Sequence, residues 1–139
     1  LIDNNFTVQG VDVSSEMIRL AKIRNPNVCF LNVDFISWDT DETFDLIISW
    51  DSLFHAPKNL QKAATEKMCR MLRPSGVSLF TAGSYEGEVH GTMENIPFEY
   101  GTIGYSNYLK VIERMECKII LMEEDQYPSG HMVFICQKD

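Results

Sequence analysis

The sequence has no apolar run near the ~18–20 residues that span a bilayer, and it does not open on the basic-then-apolar pattern of a signal peptide. It therefore reads as cytoplasmic. Positive charge is scarce: 12 Lys+Arg stand against 20 Asp+Glu, a net charge of −8. Phosphate-rich polymers and anionic lipid would repel such a surface, so neither nucleic acid nor membrane is expected as a partner. There are three histidines with no H-x-x-x-H, and four cysteines (Cys29, Cys69, Cys117, Cys136) with no C-x-x-C. That spacing points away from a metal site or disulfide framework and towards reduced, packed thiols. G-x-G, internal repeats, low-complexity tracts and interdomain linkers are all missing. What remains is globular: 139 residues, 45% apolar and 23% charged, the size of one domain.

Along the chain, strands and helices alternate. Residues 6–12 predict a strand with Gly10 at a close approach. A helix follows, capped by a Ser of Val13-Ser14-Ser15-Glu16, striped by Met17, Ile18, Leu20 and Ala21, and stopped at Asn25-Pro26. Residues 28–33 and 44–49 predict two more strands, and the run Leu46-Ile47-Ile48 suits a strand covered on both faces. Leu60, Ala64, Met68, Met71 and Leu72 recur at helical spacing, and Arg73-Pro74-Ser75-Gly76 turns the chain into a strand over 77–81. Periodicity then vanishes across about 83–105, where five of the eight glycines lie. This segment, with Tyr85, Glu86, His90, Met93 and Phe98, reads as a substrate-side lid of low intrinsic order. Ser106 is placed to cap a last helix, and strands over 118–122 and 132–136 close the chain around Pro128-Ser129-Gly130. The pattern predicts an α/β fold: a mostly parallel sheet flanked by helices, with an antiparallel C-terminal hairpin.

In such sheets ligands lie beyond the carboxyl ends of the strands. Those ends carry Asp12, Asp34-Phe35, Ser49-Trp50-Asp51 and Ala82-Gly83. A carboxylate there can accept hydrogen bonds from two vicinal ribose hydroxyls, and one on the next strand can accept from an adenine amino group. Phe35 or Met17 would cover the ring face. Polar residues also follow strands for no reason beyond solvation, and a pair at successive ends is less easily dismissed than one.

The run from Val8 to Met17 resembles the second conserved block of class I S-adenosylmethionine-dependent methyltransferases. Phe44-Asp45-Leu46-Ile47-Ile48-Ser49 resembles their fourth strand, and Met71-Leu72-Arg73-Pro74-Ser75-Gly76 the turn into their fifth. The resemblance runs from about Leu1 to Thr81 and implies a small-molecule methyltransferase with a Rossmann-like sheet. It implies that Asp12 holds the cofactor ribose, with Val13 and Met17 alongside. Asp34 and the Phe35 backbone would hold adenine, and Trp50 would lie near the methionine part. It also implies that the family's first strand and glycine-rich loop precede Leu1, so that the 139 residues alone would bind S-adenosylmethionine weakly. Upstream residues, direct pairing of the flanking strands or a second copy of the chain could fill the first strand's slot. The last of these would make a homo-oligomer, and upstream residues are the favoured reading.

If the reaction is methyl transfer, the nucleophile must be held ~3–3.5 Å from the sulfonium methyl, and a base helps only where the nucleophile carries a proton to lose. His55 after the third strand and His90 in the insert are the candidate catalytic residues. Tyr85 and Glu86 in the insert, and Tyr127 and His131 at the closing hairpin, are candidate contacts to a small-molecule acceptor. A histidine that starts a helix or pairs with its neighbours would have the same sequence signature. Two other classes remain open. A nicotinamide-dependent oxidoreductase would share the strand-end acid, although no tyrosine is followed four residues later by lysine. A non-catalytic methyltransferase-like binding module would not need acids at those strand ends.

Overall fold

The structure, a computed structural model, describes residues 1–93 and 95–139, with the side chains of Asp3, Val89, Met93, Ile96, Pro97 and Phe98 excepted. Met93 and Phe98, offered above as lid residues, thus fall outside the described side chains. The chain forms two compact units, Leu1–Thr40 and Asp41–Asp139.

In the first unit a 3-10 turn over Ile2–Asn4 precedes strand β1 (Gln9–Asp12), helix α1 (Ser15–Arg24) and strand β2 (Cys29–Asn32). β1 and β2 pair in parallel, with Gly10 opposite Phe30 and Asp12 opposite Asn32. Gly10 is needed for that packing: a Cβ there would lie 2.5 Å from the Phe30 ring. α1 begins as expected, with the Ser14 hydroxyl accepting from the Met17 amide at 3.3 Å. Ile18 is its buried anchor.

The second unit holds β3 (Phe44–Ser49), a 3-10 turn over Leu53–His55, α2 (Lys58–Arg70) and β4 (Leu72–Gly83). A hairpin of β5 (Glu86–Met93) and β6 (Ile96–Ile103) follows, then α3 (Tyr105–Arg114), β7 (Cys117–Glu124) and β8 (His131–Lys138). Four strands form a sheet in the order β3-β4-β8-β7. β3 and β4 are parallel, and β8 runs antiparallel to both β4 and β7, so the sheet is mixed with one reversed strand, as expected. No helix among the described residues is long and apolar enough to cross a membrane.

Burial explains the core. Phe80 and Phe134 are opposite each other in the β4–β8 register and stack at 4.9 Å with nearly parallel planes; Tyr108 of α3 packs on both at 6.0 and 5.7 Å. Cys69, Cys117 and Cys136 are buried free thiols and Cys29 is exposed, so three of the four pack as expected. Burial, reinforced by Cys69, pushes the Cys117 thiol up to about 12, which leaves it inert.

Several expectations need correction. The segment after Gly83 pairs as a hairpin, from Glu86↔Ile103 to Met93↔Ile96, where no strands were expected. Its strands carry glycines and polar pairs such as His90–Glu99, so no apolar alternation betrays them. α3 is capped by Gly104 and not by Ser106. Gly104 sits at φ 76°, and a Cβ there would meet the Glu86 amide nitrogen at 2.8 Å, so a side chain is excluded. β4 starts at Leu72, five residues earlier than expected. Its register on β3 jumps from Phe44↔Leu72 to Leu46↔Val77 around the Pro74-Ser75-Gly76 kink. β3 is the marginal strand of its sheet among the described residues, and its Ile48 is 49% exposed, so the run is not covered on both faces. Leu60 is 38% exposed; α2 instead buries Gln61, Ala64, Thr65, Met68 and Cys69.

Gln61 is inside because every polar atom of its amide is satisfied. Nε2 donates to the Gly101 carbonyl at 2.6 Å and to that of Ala56 at 3.0 Å, and Oε1 accepts from the Tyr108 hydroxyl at 2.7 Å. Gln61→Met keeps the volume but strands these partners, each costing about 1–3 kcal/mol. Urea unfolding of the variant should show a loss on the order of 2–4 kcal/mol.

Candidate functional site

The first unit places its two strand-end carboxylates on neighbouring parallel strands. Asp12 closes β1, and its Oδ1 accepts the Ser14 amide at 2.7 Å. Oδ2 accepts no bond among the described residues. The turn is held from β2, whose Asn32 side chain donates to the carbonyls of Asp12 at 3.0 Å and Val13 at 2.9 Å. Val13 and Met17 expose apolar surface beside this turn, at 74% and 55%. Asp34 follows β2 and is tied into its own turn, Oδ1 accepting from the Ile36 amide at 3.0 Å and Oδ2 from the Ser37 hydroxyl at 2.9 Å. Phe35 is half-buried next to it. The pair offers what a sugar diol and a heteroaromatic ring need: a carboxylate with one uncommitted oxygen, exposed apolar side chains and a second acid one strand on.

The second unit builds a denser cluster at the carboxyl end of β3. Asp51 adopts φ 48°, a left-handed conformation that turns its side chain out of the strand. Its amide donates to Thr81 Oγ1 at 2.8 Å, and that hydroxyl lies 3.2 Å from Asp51 Oδ1. His131, the first residue of β8, faces Gly83 across the β4–β8 ladder. Its Nε2 is 2.9 Å from Asp51 Oδ1 and its Nδ1 2.5 Å from Asp125 Oδ1. Burial pushes this imidazole down, but the hydrogen bonds to Asp125 and Asp51 outweigh it and hold His131 above the ordinary 6.5.

Aromatic rings surround the cluster. Trp50 lies 6.1 Å from the His131 ring and Phe54 6.4 Å; Phe54 in turn touches His55 at 4.8 Å and Tyr100 of β6 at 5.3 Å. Of the residues expected from sequence, Trp50 and His131 therefore meet, and His55 reaches them only through Phe54. The others stand apart. His90 is exposed and pairs with Glu99 at 3.2 Å across the hairpin. Glu86 pairs with Lys58 of α2 at 3.0 Å. Tyr127 is 84% exposed, and Tyr85, also largely exposed, lies beside Gly130. Asp51, Thr81 and Asp125 were not singled out as site residues. For Asp51 a signal existed in its place at the end of β3; for Asp125 none did, because only the fold of the loop after β7 brings it to His131.

A comparison with proteins of curated function finds no match. Solved structures share the fold. A SAM-dependent methyltransferase from Methanosarcina mazei is 18% identical, over 94% of this chain and 81% of that one, at a TM-score of 0.76. An amino pentose methyltransferase from Micromonospora echinaspora, solved with SAM bound, is 16% identical over 99% and 77%, at 0.74. The 1,6-didemethyltoxoflavin-N1-methyltransferase of Burkholderia thailandensis, solved with S-adenosylhomocysteine, is 15% identical, at 0.69; the match covers 99% of this chain and 63% of that enzyme's length. A family model described as a methyltransferase domain matches residues 1–76, more than half of the 139. The chain belongs to the methyltransferase-domain family.

Proposed function

We propose that the protein transfers a methyl group from S-adenosylmethionine to a small-molecule acceptor, residues 1–139 forming one methyltransferase domain. The observation that carries this is the pair of carboxylates, Asp12 and Asp34, at the carboxyl ends of two adjacent parallel strands, with one Asp12 oxygen uncommitted. Membership of the methyltransferase family favours methyl transfer over the nicotinamide alternative.

The residues of the first unit fit the cofactor. Asp12 would accept from the ribose hydroxyls, while Asp34 and the Phe35 backbone would receive the adenine edge. Val13 and Met17 would cover apolar surface. Trp50 is assigned to the methionine part by the resemblance alone. When bound, the cofactor supplies an electrophilic methyl group on a sulfonium. The protein's part is to hold the acceptor in line and to exclude water. In the second unit the rings of Trp50, Phe54 and Tyr100, with Asp51 and His131 among them, supply an apolar, acid-edged surface suited to a small acceptor. His55, exposed beside Phe54, keeps its place as a candidate base, and His90, Tyr85, Glu86 and Tyr127 as outer acceptor contacts.

In the full-length protein, Asp12→Ala should weaken S-adenosylhomocysteine binding about tenfold or more, since hydrogen bonds to a charged acceptor contribute about 1.5–3 kcal/mol. Isothermal calorimetry reads this directly, and an unchanged dissociation constant would remove Asp12 from the site. His90→Ala should leave the same constant within about twofold, the range of an exposed substitution. A loss matching that of Asp12→Ala would move His90 from the acceptor side to the support of the fold or the cofactor.

A further inference from the structure

His131 has a carboxylate on each ring nitrogen, Asp51 at 2.9 Å and Asp125 at 2.5 Å. A ring so engaged donates in both directions and has no lone pair left to take a proton from an acceptor. Its effect must pass through a neighbour. Asp51 Oδ1 receives both His131 and Thr81, while Oδ2 receives no bond among the described residues, and the side chain is 52% exposed. One oxygen is fastened and the other is offered.

We propose that His131 is a positioning residue: by fastening Asp51 Oδ1 it holds Oδ2 outward as the hydrogen-bond acceptor for an N–H or O–H of the molecule to be methylated. The acceptor role of Asp51 rests on the methyl-transfer reading above; the fastening does not. The backbone supports the assignment. The left-handed conformation of Asp51 and the Thr81 bond to its amide fix where the side chain starts, but the Thr81 contact to the carboxylate is long, at 3.2 Å. His131 provides the shorter, charge-assisted bond that selects the rotamer. The far side is anchored as well. Asp125 accepts from the other ring nitrogen, its amide donates to the His131 carbonyl at 3.2 Å, and Glu124 accepts the Gly130 amide at 2.9 Å.

The charged groups facing His131 are Asp51 from the end of β3 and Asp125 from the loop after β7, with Glu124 one step away on Gly130; Trp50 and Phe54 present uncharged rings. Because the folded-state value of His131 lies above 6.5, the fastening is complete below about pH 6.5. It is lost as pH rises through the raised value and the Nε2 proton leaves, because the shorter bond to Asp125 retains the proton on Nδ1.

The test is NMR on the whole chain, reading the three-bond Hα–Hβ couplings of Asp51 alongside the imidazole 15N shifts of His131. In the parent protein the couplings should report a single Asp51 rotamer at low pH and averaging as His131 titrates. In His131→Ala they should report averaging at every pH. A single rotamer that persists in His131→Ala, or through the titration of the parent protein, would overturn the role of His131 and leave Thr81 and the backbone as the holders. The pH series on the parent decides the matter even if the variant does not fold. Calorimetry with S-adenosylhomocysteine separates the two layers. In the full-length protein, binding together with pH-insensitive couplings overturns the positioning role alone, whereas no binding overturns the methyl-transfer reading and the acceptor role of Asp51 with it.

Discussion

The second unit depends on one buried amide. Gln61 lies on the face of α2 that a simple apolar stripe would give to leucine, and its three bonds reach three separate pieces of chain. Ala56 ends the turn that carries Phe54 and His55. Gly101 belongs to the base of the β5–β6 hairpin. Tyr108 is the centre of α3 and part of the aromatic core. A neutral, fully satisfied side chain is suited to this task, because a charged one would suffer desolvation and an apolar one would leave carbonyls unpaired. Gly101 allows the close approach: a Cβ there would crowd the Lys58 side chain at 3.1 Å. The same anchor ties together the turn that carries Phe54 and the strand that carries Tyr100, whose rings meet at 5.3 Å in a wall beside His131.

That wall gives meaning to the acidic composition. A net charge of −8 read from sequence says only what the protein avoids. In the fold, part of the charge is concentrated: Asp51 and Asp125 converge on one imidazole, and Glu124 closes the loop beside them. Two carboxylates this close to one ring would repel each other. The proton on His131 is what lets them share the site, so the same contacts that raise its basicity stabilise the loop.

What was legible in the sequence follows from which forces are local. β3 was bounded correctly at Phe44 and Ser49, because an uninterrupted apolar run between polar residues has few other uses. α1 was legible from its cap, an interaction spanning three residues. The reversal of β8 against β7 was legible from the Pro128-Ser129-Gly130 turn between the last two strands, whereas its pairing with β4 left no local signal. The β5–β6 hairpin escaped because its pairing is carried by backbone bonds between polar and glycine-rich strands, which leave no period in the side chains. The site divides in the same way. Asp12 and Asp34 could be placed at strand ends from sequence because those ends are visible there. The partners of His131 come from β3 and from a loop of different origin, 80 and 6 residues away along the chain, and spacing carries no record of that.

The conformation of Asp51 joins the fold to the chemistry proposed for it. A non-glycine residue at φ 48° is held in a sparsely populated region at a cost on the order of 1–3 kcal/mol. Glycine would relieve that cost and would also remove the carboxylate. Thr81 offsets part of it by accepting the Asp51 amide, which would otherwise lack a partner where the chain leaves β3, and by donating back to Oδ1. His131 adds a charge-assisted bond to the same oxygen. Each of these bonds spends its direction on Oδ1 or on the backbone, and none reaches Oδ2. A strained residue held by several partners, with one acceptor atom left over, is the arrangement expected where backbone strain serves recognition. A purely structural turn at the end of β3 could have used asparagine or glycine and left Asp125 as the one carboxylate on His131.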